Sequence, residues 1–235
     1  VAHRRHSCPE VQPLHPVGQV VVGPEREGVT GDGVEFRVVI PGLLLDGQFR
    51  VDRFVGEGGV SALYQGFHIG LNEPIAIKCL KVPHPFGERD SFIKRFREES
   101  RVLYRLSQAN TNVVRNIAGG ATTVPATGAL LPYMVLEWLD GRSLANDFDF
   151  RAAQGHKPRS LDDMMRVLES AVDGLAYANA QGVVHGDVNP RNMFIANTPQ
   201  GAKTKMLDFG IARIMGDPSL ALPSDSLTLG GFRLF

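Results

Sequence analysis

His185-Gly186-Asp187-Val188-Asn189-Pro190-Arg191-Asn192, followed sixteen residues after Asn192 by Asp208-Phe209-Gly210, is the most informative stretch of this chain. It sets an acid and an amide five residues apart, then a second acid ahead of a glycine. Val183-Val184 before the first group and Lys205-Met206-Leu207 before the second read as short strands that deliver the acids to a common edge. Two carboxylates and an amide at strand-to-loop junctions are hard to explain as packing, because acids brought together repel unless they share a cation or a proton. The set suits orientation of a hydroxyl nucleophile and the holding of Mg²⁺ against the phosphates of ATP.

Upstream, Gly56-Glu57-Gly58-Gly59-Val60-Ser61-Ala62-Leu63-Tyr64 lies between two predicted strands. Glycine there lets a hairpin backbone approach phosphates and point N–H groups at them. Ile75-Ala76-Ile77-Lys78 follows in the next strand, and strand alternation puts Ala76 and Lys78 on one face. A lysine closing an apolar strand either snorkels to water or meets an anion. Glu98 and Glu99 are adjacent on the following helix, and either can supply that anion; Glu99 lies nearer the apolar stripe.

The rest of the chain divides by period. Residues 1–33, rich in Pro, Gly, His and Val, read as a poorly ordered leader with one short strand at 19–22. Strands are predicted at 35–40, 49–55, 62–67, 74–81, 113–118 and 133–137, with Gly119, Gly120, Pro125 and Gly128 marking the loop between the last two. Over 90–107, Phe92, Ile93, Phe96, Val102, Leu103 and Leu106 form a stripe at helical spacing. Past Gly141 the character turns helical, with Ser160 as N-cap of a helix over 161–180 that Gly182 ends.

Composition excludes several classes. Lys plus Arg equals Asp plus Glu at 25 each, so no global field favours nucleic acid or an anionic membrane. No apolar run approaches the roughly 20 residues that span a bilayer, and the basic N-terminus has no signal-peptide core behind it. Only Cys8 and Cys79 occur, in dissimilar surroundings, which points to a reducing compartment and a cytoplasmic location.

Glycine hairpin, strand lysine, helix glutamate, acid–amide loop and Asp-Phe-Gly occur in the order found in protein kinases, and the chain from about residue 43 to 235 resembles the bacterial, eukaryotic-like serine/threonine type. Leu45-Asp46-Gly47-Gln48-Phe49-Arg50-Val51 also resembles the start of the first strand in such kinases. The resemblance implies an α+β, two-lobe fold. Its N-lobe (34–139) would hold a five-stranded antiparallel sheet with one main helix, and 140–235 would form an incomplete helical C-lobe. It implies ATP and Mg²⁺, a protein substrate, and no nucleic-acid partner. By resemblance, Lys78 holds the α- and β-phosphates and pairs with Glu99, Asp187 takes or orients the substrate hydroxyl proton, and Asn192 and Asp208 bind Mg²⁺. Gly56, Gly58 and Gly59 would cover the phosphates. Leu136 would guard the back of the adenine pocket, Glu137 and Leu139 would offer backbone groups to the adenine edge, and Ala76 would pack on the ring.

Four departures qualify the resemblance. Ser61 replaces the third glycine of the hairpin. Asn189 stands where protein kinases usually carry a lysine near the γ-phosphate, removing stabilisation of the order of a few kcal/mol, with Arg191 the nearby candidate to substitute. Gly186 replaces the arginine that commonly precedes the catalytic acid and pairs with a phosphorylated loop, so Ser219, Ser224, Ser226 and Thr228 are weak candidates for control. Finally, Gly230 to Phe235 resembles the run-up to Ala-Pro-Glu, with Gly231 in place of a threonine, and the chain stops there. The expectation is a fragment cut in the activation segment, its helix over 161–180 left with exposed apolar surface. Two rival readings stand beside a protein kinase. His-Gly-Asp with a downstream Asn also resembles aminoglycoside and choline phosphotransferases, and loss of Asn189's expected lysine suits a pseudokinase that binds nucleotide or acts as a scaffold.

Overall fold

A computed structural model describes residues 41–58, 61–80, 89–124, 128, 130–209 and 213–214. The leader, the strands expected at 19–22 and 35–40, Gly59, Gly210, the loop serines and Thr228, and Gly230 to Phe235 lie outside the described residues.

The first part of the chain runs β1 (Leu44–Leu45), β2 (Phe49–Glu57), β3 (Ser61–His68), β4 (Glu73–Leu80), α1 (Arg89–Ala109), β5 (Asn116–Thr123) and β6 (Leu130–Glu137). Among the described residues its strands form one antiparallel sheet of six in the order β1-β2-β3-β4-β6-β5. Five long strands were expected, and the sixth, β1, is a two-residue addition at the edge of β2. It forms because Asp46 and Gly47 take positive φ (45° and 68°) and fold the chain straight back onto Phe49.

Alternation along β3 buries Ala62, Tyr64 and His68 on one face. That face joins Leu45, Val51, Ile75, Ile77, Tyr133 and Val135 in one core. The opposite face receives the α1 stripe, where Ile93, Phe96, Val102, Leu103 and Leu106 pack with Ala76, Met134 and Leu136. Each such side chain, fully buried, contributes about 1.5–3 kcal/mol.

The strand expected at 113–118 is shifted. Val113 and Val114 leave the sheet and pair instead with Met206, through Val114 N–H to Met206 O (3.0 Å) and Met206 N–H to Asn112 O (2.8 Å). Burial drives this, since Val113, Val114 and Met206 all enter the core beside α1. β5 then runs on through Gly119 and Gly120, which were read as loop. There a Cβ would fall 2.6 Å from Ser100 Oγ or 2.7 Å from Tyr133 Oη, so glycine is what lets this strand seat against its neighbours.

The second part comprises β7 (Gly141–Ser143), α2 (Leu144–Ala153), α3 (Leu161–Ala180), β8 (Val183–Val184), β9 (Met193–Thr198), β10 (Gly201–Met206) and β11 (Arg213–Ile214). Ser143 and Ser160 cap α2 and α3, accepting from Asn146 N–H (3.1 Å) and Asp163 N–H (3.2 Å). Gly182, at φ 75°, follows the end of α3. Leu161, Met165 and Val172 on α3 are exposed. Among the described residues no helix is long and apolar enough to cross a membrane.

The common edge expected for the two acids is not a shared sheet. β10 pairs with β9 and β9 with β7, while β8 pairs with β11. The loops after β8 and β10 meet because His185 and Leu207 hydrogen-bond across the gap, Nε2 to the carbonyl at 2.8 Å.

Candidate active site

Three elements converge on one ammonium. Lys78 projects from β4, Glu99 from the middle of α1, and Asp208 from the turn just after β10. Lys78 Nζ donates to Glu99 Oε1 at 3.0 Å and to Asp208 Oδ1 at 2.8 Å. Lys78 and Glu99 side chains are nearly buried, at 12% and 11% exposure, whereas Asp208 is 47% exposed. Of the two adjacent glutamates it is thus Glu99 that turns inward; Glu98 faces Arg101 at 3.4 Å.

Burial alone would pull the Lys78 ammonium down. Asp208 and Glu99 outweigh it and hold its pKa above the ordinary lysine range, so the amine stays charged. For Glu99 burial wins, pushing its carboxyl above the usual range against the pull of Lys78. Asp208 reaches its position at φ 41°, a left-handed conformation that Asp tolerates better than most residues. The turn sends Phe209 into the core, fully buried, its ring 4.6 Å from that of His185.

His185 is the buried post of the second group. Its Nε2–H donates to Leu207 O, and its Nδ1 accepts from Asp187 N–H at 3.3 Å, which fixes the roles of the two ring nitrogens. Beyond it, Asn192 Nδ2 donates to both the carbonyl and the Oδ2 of Asp187, each at 2.9 Å. Leu207 N–H donates to Asn192 O at 2.8 Å, tying this loop to the residue that precedes Asp208.

Along the sheet, Ala76 pairs with Leu136 in register, and both are buried beside partly buried Trp138 and Leu139. Glu137 does more than end β6. Its carboxylate accepts from Arg115 N–H at 2.8 Å and from the ammonium of Lys205, while its own N–H donates to Arg115 O at 3.0 Å. Gly56 lies opposite Leu63 where the β2–β3 ladder shifts register, and Gly58 N–H closes the hairpin on Ser61 O at 2.8 Å. The structure therefore gathers Lys78, Glu99 and Asp208 in one group, Asp187 and Asn192 in a second, and Ala76 and Leu136 in a third.

Sequence reasoning passed over Lys205 as a partner of Glu137, 68 residues away, and over the bonding of Asn189. Nothing local in the sequence marks Lys205 as that partner, because the pair is 68 residues apart.

A half-exposed carboxylate and an amide oxygen are hard donors of the kind Mg²⁺ prefers. Mg²⁺ characteristically takes one or two carboxylates and completes its shell with phosphates and water. Among the described residues no three His, Cys, Asp or Glu side chains gather as a metal cage.

The family described as Protein kinase domain matches residues 49–228, and the chain belongs to that family. Among similar proteins is serine/threonine-protein kinase pkn2 of Myxococcus xanthus, 33% identical over 174 residues, covering 74% of this chain and 19% of that protein. Serine/threonine-protein kinase Pkn1 of the same organism is 30% identical over 198 residues, covering 78% of this chain and 26% of its own length. Serine/threonine-protein kinase PknL of Mycobacterium tuberculosis (strain ATCC 25618 / H37Rv) is 29% identical over 177 residues, covering 75% and 40%. The chain thus spans well under half the length of these relatives.

Proposed function

We propose that this chain is the ATP-binding and catalytic part of a kinase that transfers the γ-phosphoryl group of ATP to serine or threonine of a protein. The observation that carries the reading is the three-way contact of Lys78 with Glu99 and Asp208, which sets a fixed positive charge beside an open carboxylate. Residues 34–139 act as the lobe that holds nucleotide and 140–235 as part of the lobe that carries the acid–amide loop.

In this reading Lys78 neutralises the α- and β-phosphates, and Glu99 keeps it from collapsing onto Asp208 alone. Bound Mg²⁺ supplies charge neutralisation across the phosphates, and Asp208 with the amide oxygen of Asn192 would hold it. The glycine hairpin of Gly56, Gly58 and Gly59 lets the backbone approach the phosphates. Ala76 packs on the adenine ring, Leu136 backs it, and backbone groups of Glu137 and Leu139 meet its edge. Asp187 orients the acceptor hydroxyl and takes its proton as oxygen bonds to the γ-phosphorus and the β–γ bridge breaks.

The test is thermal shift with Mg²⁺ and ATP, together with radiolabel transfer, on the full-length protein. Mg²⁺-dependent stabilisation by ATP and its loss in Asp208→Ala are the expected results. A protein that bound Mg²⁺ and ATP yet phosphorylated neither itself nor a generic protein acceptor would instead be a nucleotide-binding scaffold.

A further inference from the structure

Asn189 occupies the position where protein kinases usually carry lysine, and its side chain makes bonds that a lysine cannot. The amide oxygen accepts from the backbone N–H of Arg191 (2.9 Å) and of Asn192 (3.3 Å). The amide nitrogen donates to the Asp187 carbonyl at 3.2 Å. The backbone repeats the turn, with Asn192 N–H donating to Asn189 O at 3.0 Å. That same Asp187 carbonyl also accepts from Asn192 Nδ2, whose second bond reaches the Asp187 carboxylate. Two amides therefore brace one acid. Pro190, between them, passes its carbonyl to Ala145 N–H at 3.1 Å and pins the turn to the start of α2.

We propose that Asn189 is a positioning residue that sets Asp187 and Asn192 at a fixed separation, so that restoring the lysine usual at this position lowers phosphoryl transfer instead of raising it. The inference rests on the phosphotransfer reading above. Lysine offers donors and no acceptor, so it would strip the Arg191 and Asn192 N–H groups of their side-chain acceptor and release the turn. Aspartate keeps the acceptor oxygen but sets a carboxylate oxygen against the Asp187 carbonyl and adds a negative charge beside it, so it reports on the turn through amide exchange and not through rate. Misplacement of catalytic groups by about 1 Å can lower a rate by roughly a hundredfold, so a loosened turn is enough to matter.

The test compares Asn189→Lys, Asn189→Asp and Asn189→Ala with wild type in the full-length protein. The kcat of Ala and Lys should fall at least about tenfold below wild type. KM for ATP should stay within about twofold, because Lys78, Glu99 and the glycine hairpin are untouched. Hydrogen exchange of the Arg191 and Asn192 amides should quicken in Ala and Lys and stay slow in Asp. A faster Asn189→Lys enzyme, or an Asn189→Ala variant that lost thermal stability with kcat unchanged, would overturn the proposal. If wild type transferred nothing, the phosphotransfer reading and the role built on it would fall, while the exchange rates would still decide whether Asn189 holds the turn.

Discussion

Lys205 donates its ammonium to the carboxylate of Glu137, joining the strand that ends before Asp208 to the strand end that leads into Trp138 and Leu139. Both side chains are mostly buried, at 12% and 19% exposure, and Arg115 N–H fills another acceptor position on the same carboxylate. Glu137 thus spends both its carboxylate and its own N–H on fastening the end of β6.

Breaking a buried pair from one side leaves an uncompensated charge, worth about 3–5 kcal/mol in full burial and less here because both groups keep some water. Lys205→Met should therefore destabilise the fold by about 2 kcal/mol. The double variant Lys205→Met/Glu137→Gln should cost less than the sum of the singles, with a coupling of about 1 kcal/mol or more. Urea titrations of the four proteins measure it. Strict additivity would mean that the two groups do not interact.

Lys78 and Glu99 make a prediction in pH. Lys78 has its folded pKa raised, so its stabilisation is fully present below the ordinary lysine range and fades only as pH climbs through the still higher folded value. Wild-type stability should owe no slope to it between about pH 6 and pH 9. Glu99 has its carboxyl raised by burial, so ionising it in the fold opposes stability above the ordinary carboxylate range. Lys78→Met removes its compensating cation. The variant should lose more stability against wild type at about pH 8 than at about pH 5, where Glu99 takes up a proton. An equal loss at both values in paired urea midpoints would show that Glu99 is not the group left stranded.

Cys79 lies beside Lys78 on the other face of β4, buried, its thiol pushed up to about 12 by burial. The thiolate is the nucleophile, so Cys79 should resist alkylation at neutral pH and react at the rate of unfolding. In a Cys8→Ser background, iodoacetamide should label the native protein slowly and the urea-unfolded protein completely. Rapid native labelling would place Cys79 at the surface.

The parts of the candidate site that the sequence suggests are local ones. Glycine hairpin, Ala76 with Lys78, and Asp187 with Asn192 each sit within one element or one loop, where period and spacing speak directly. The strand boundaries near 113–118 were not legible, because Val113 and Val114 answer to Met206, about ninety residues downstream, and no local pattern carries that pairing. Gly119 and Gly120 misled for the same reason: glycine signals both a loop and a strand under close approach, and only the neighbouring Ser100 and Tyr133 distinguish them. The choice between Glu98 and Glu99 likewise depended on how α1 rolls against the sheet. Asn189 read as a lost lysine because a sequence shows the absent charge but not the turn bonded in its place.

The seat of α1 gives the last prediction. Asn116 on β5 donates from Nδ2 to Ser100 O (2.8 Å) and Ser100 Oγ (3.0 Å), and its N–H donates to Ser107 Oγ at 3.1 Å. Ser100 adjoins Glu99, so the fit of β5 under the helix sets how deeply Glu99 reaches toward Lys78. In Gly119→Ala the new methyl would meet Ser100 Oγ at 2.6 Å but Ser100 Cβ at 3.6 Å, an ordinary contact. The single variant should lose about 1–3 kcal/mol by overpacking and raise KM for ATP as α1 is pushed outward. Ser100→Ala alone should lose only about 1 kcal/mol, since Asn116 keeps its bond to the Ser100 carbonyl. Because the clash is with the hydroxyl alone, Gly119→Ala/Ser100→Ala should be no less stable than Ser100→Ala and should recover most of the affinity for ATP. A double variant as weak as the sum of the two singles would show that β5 does not set the depth of the helix.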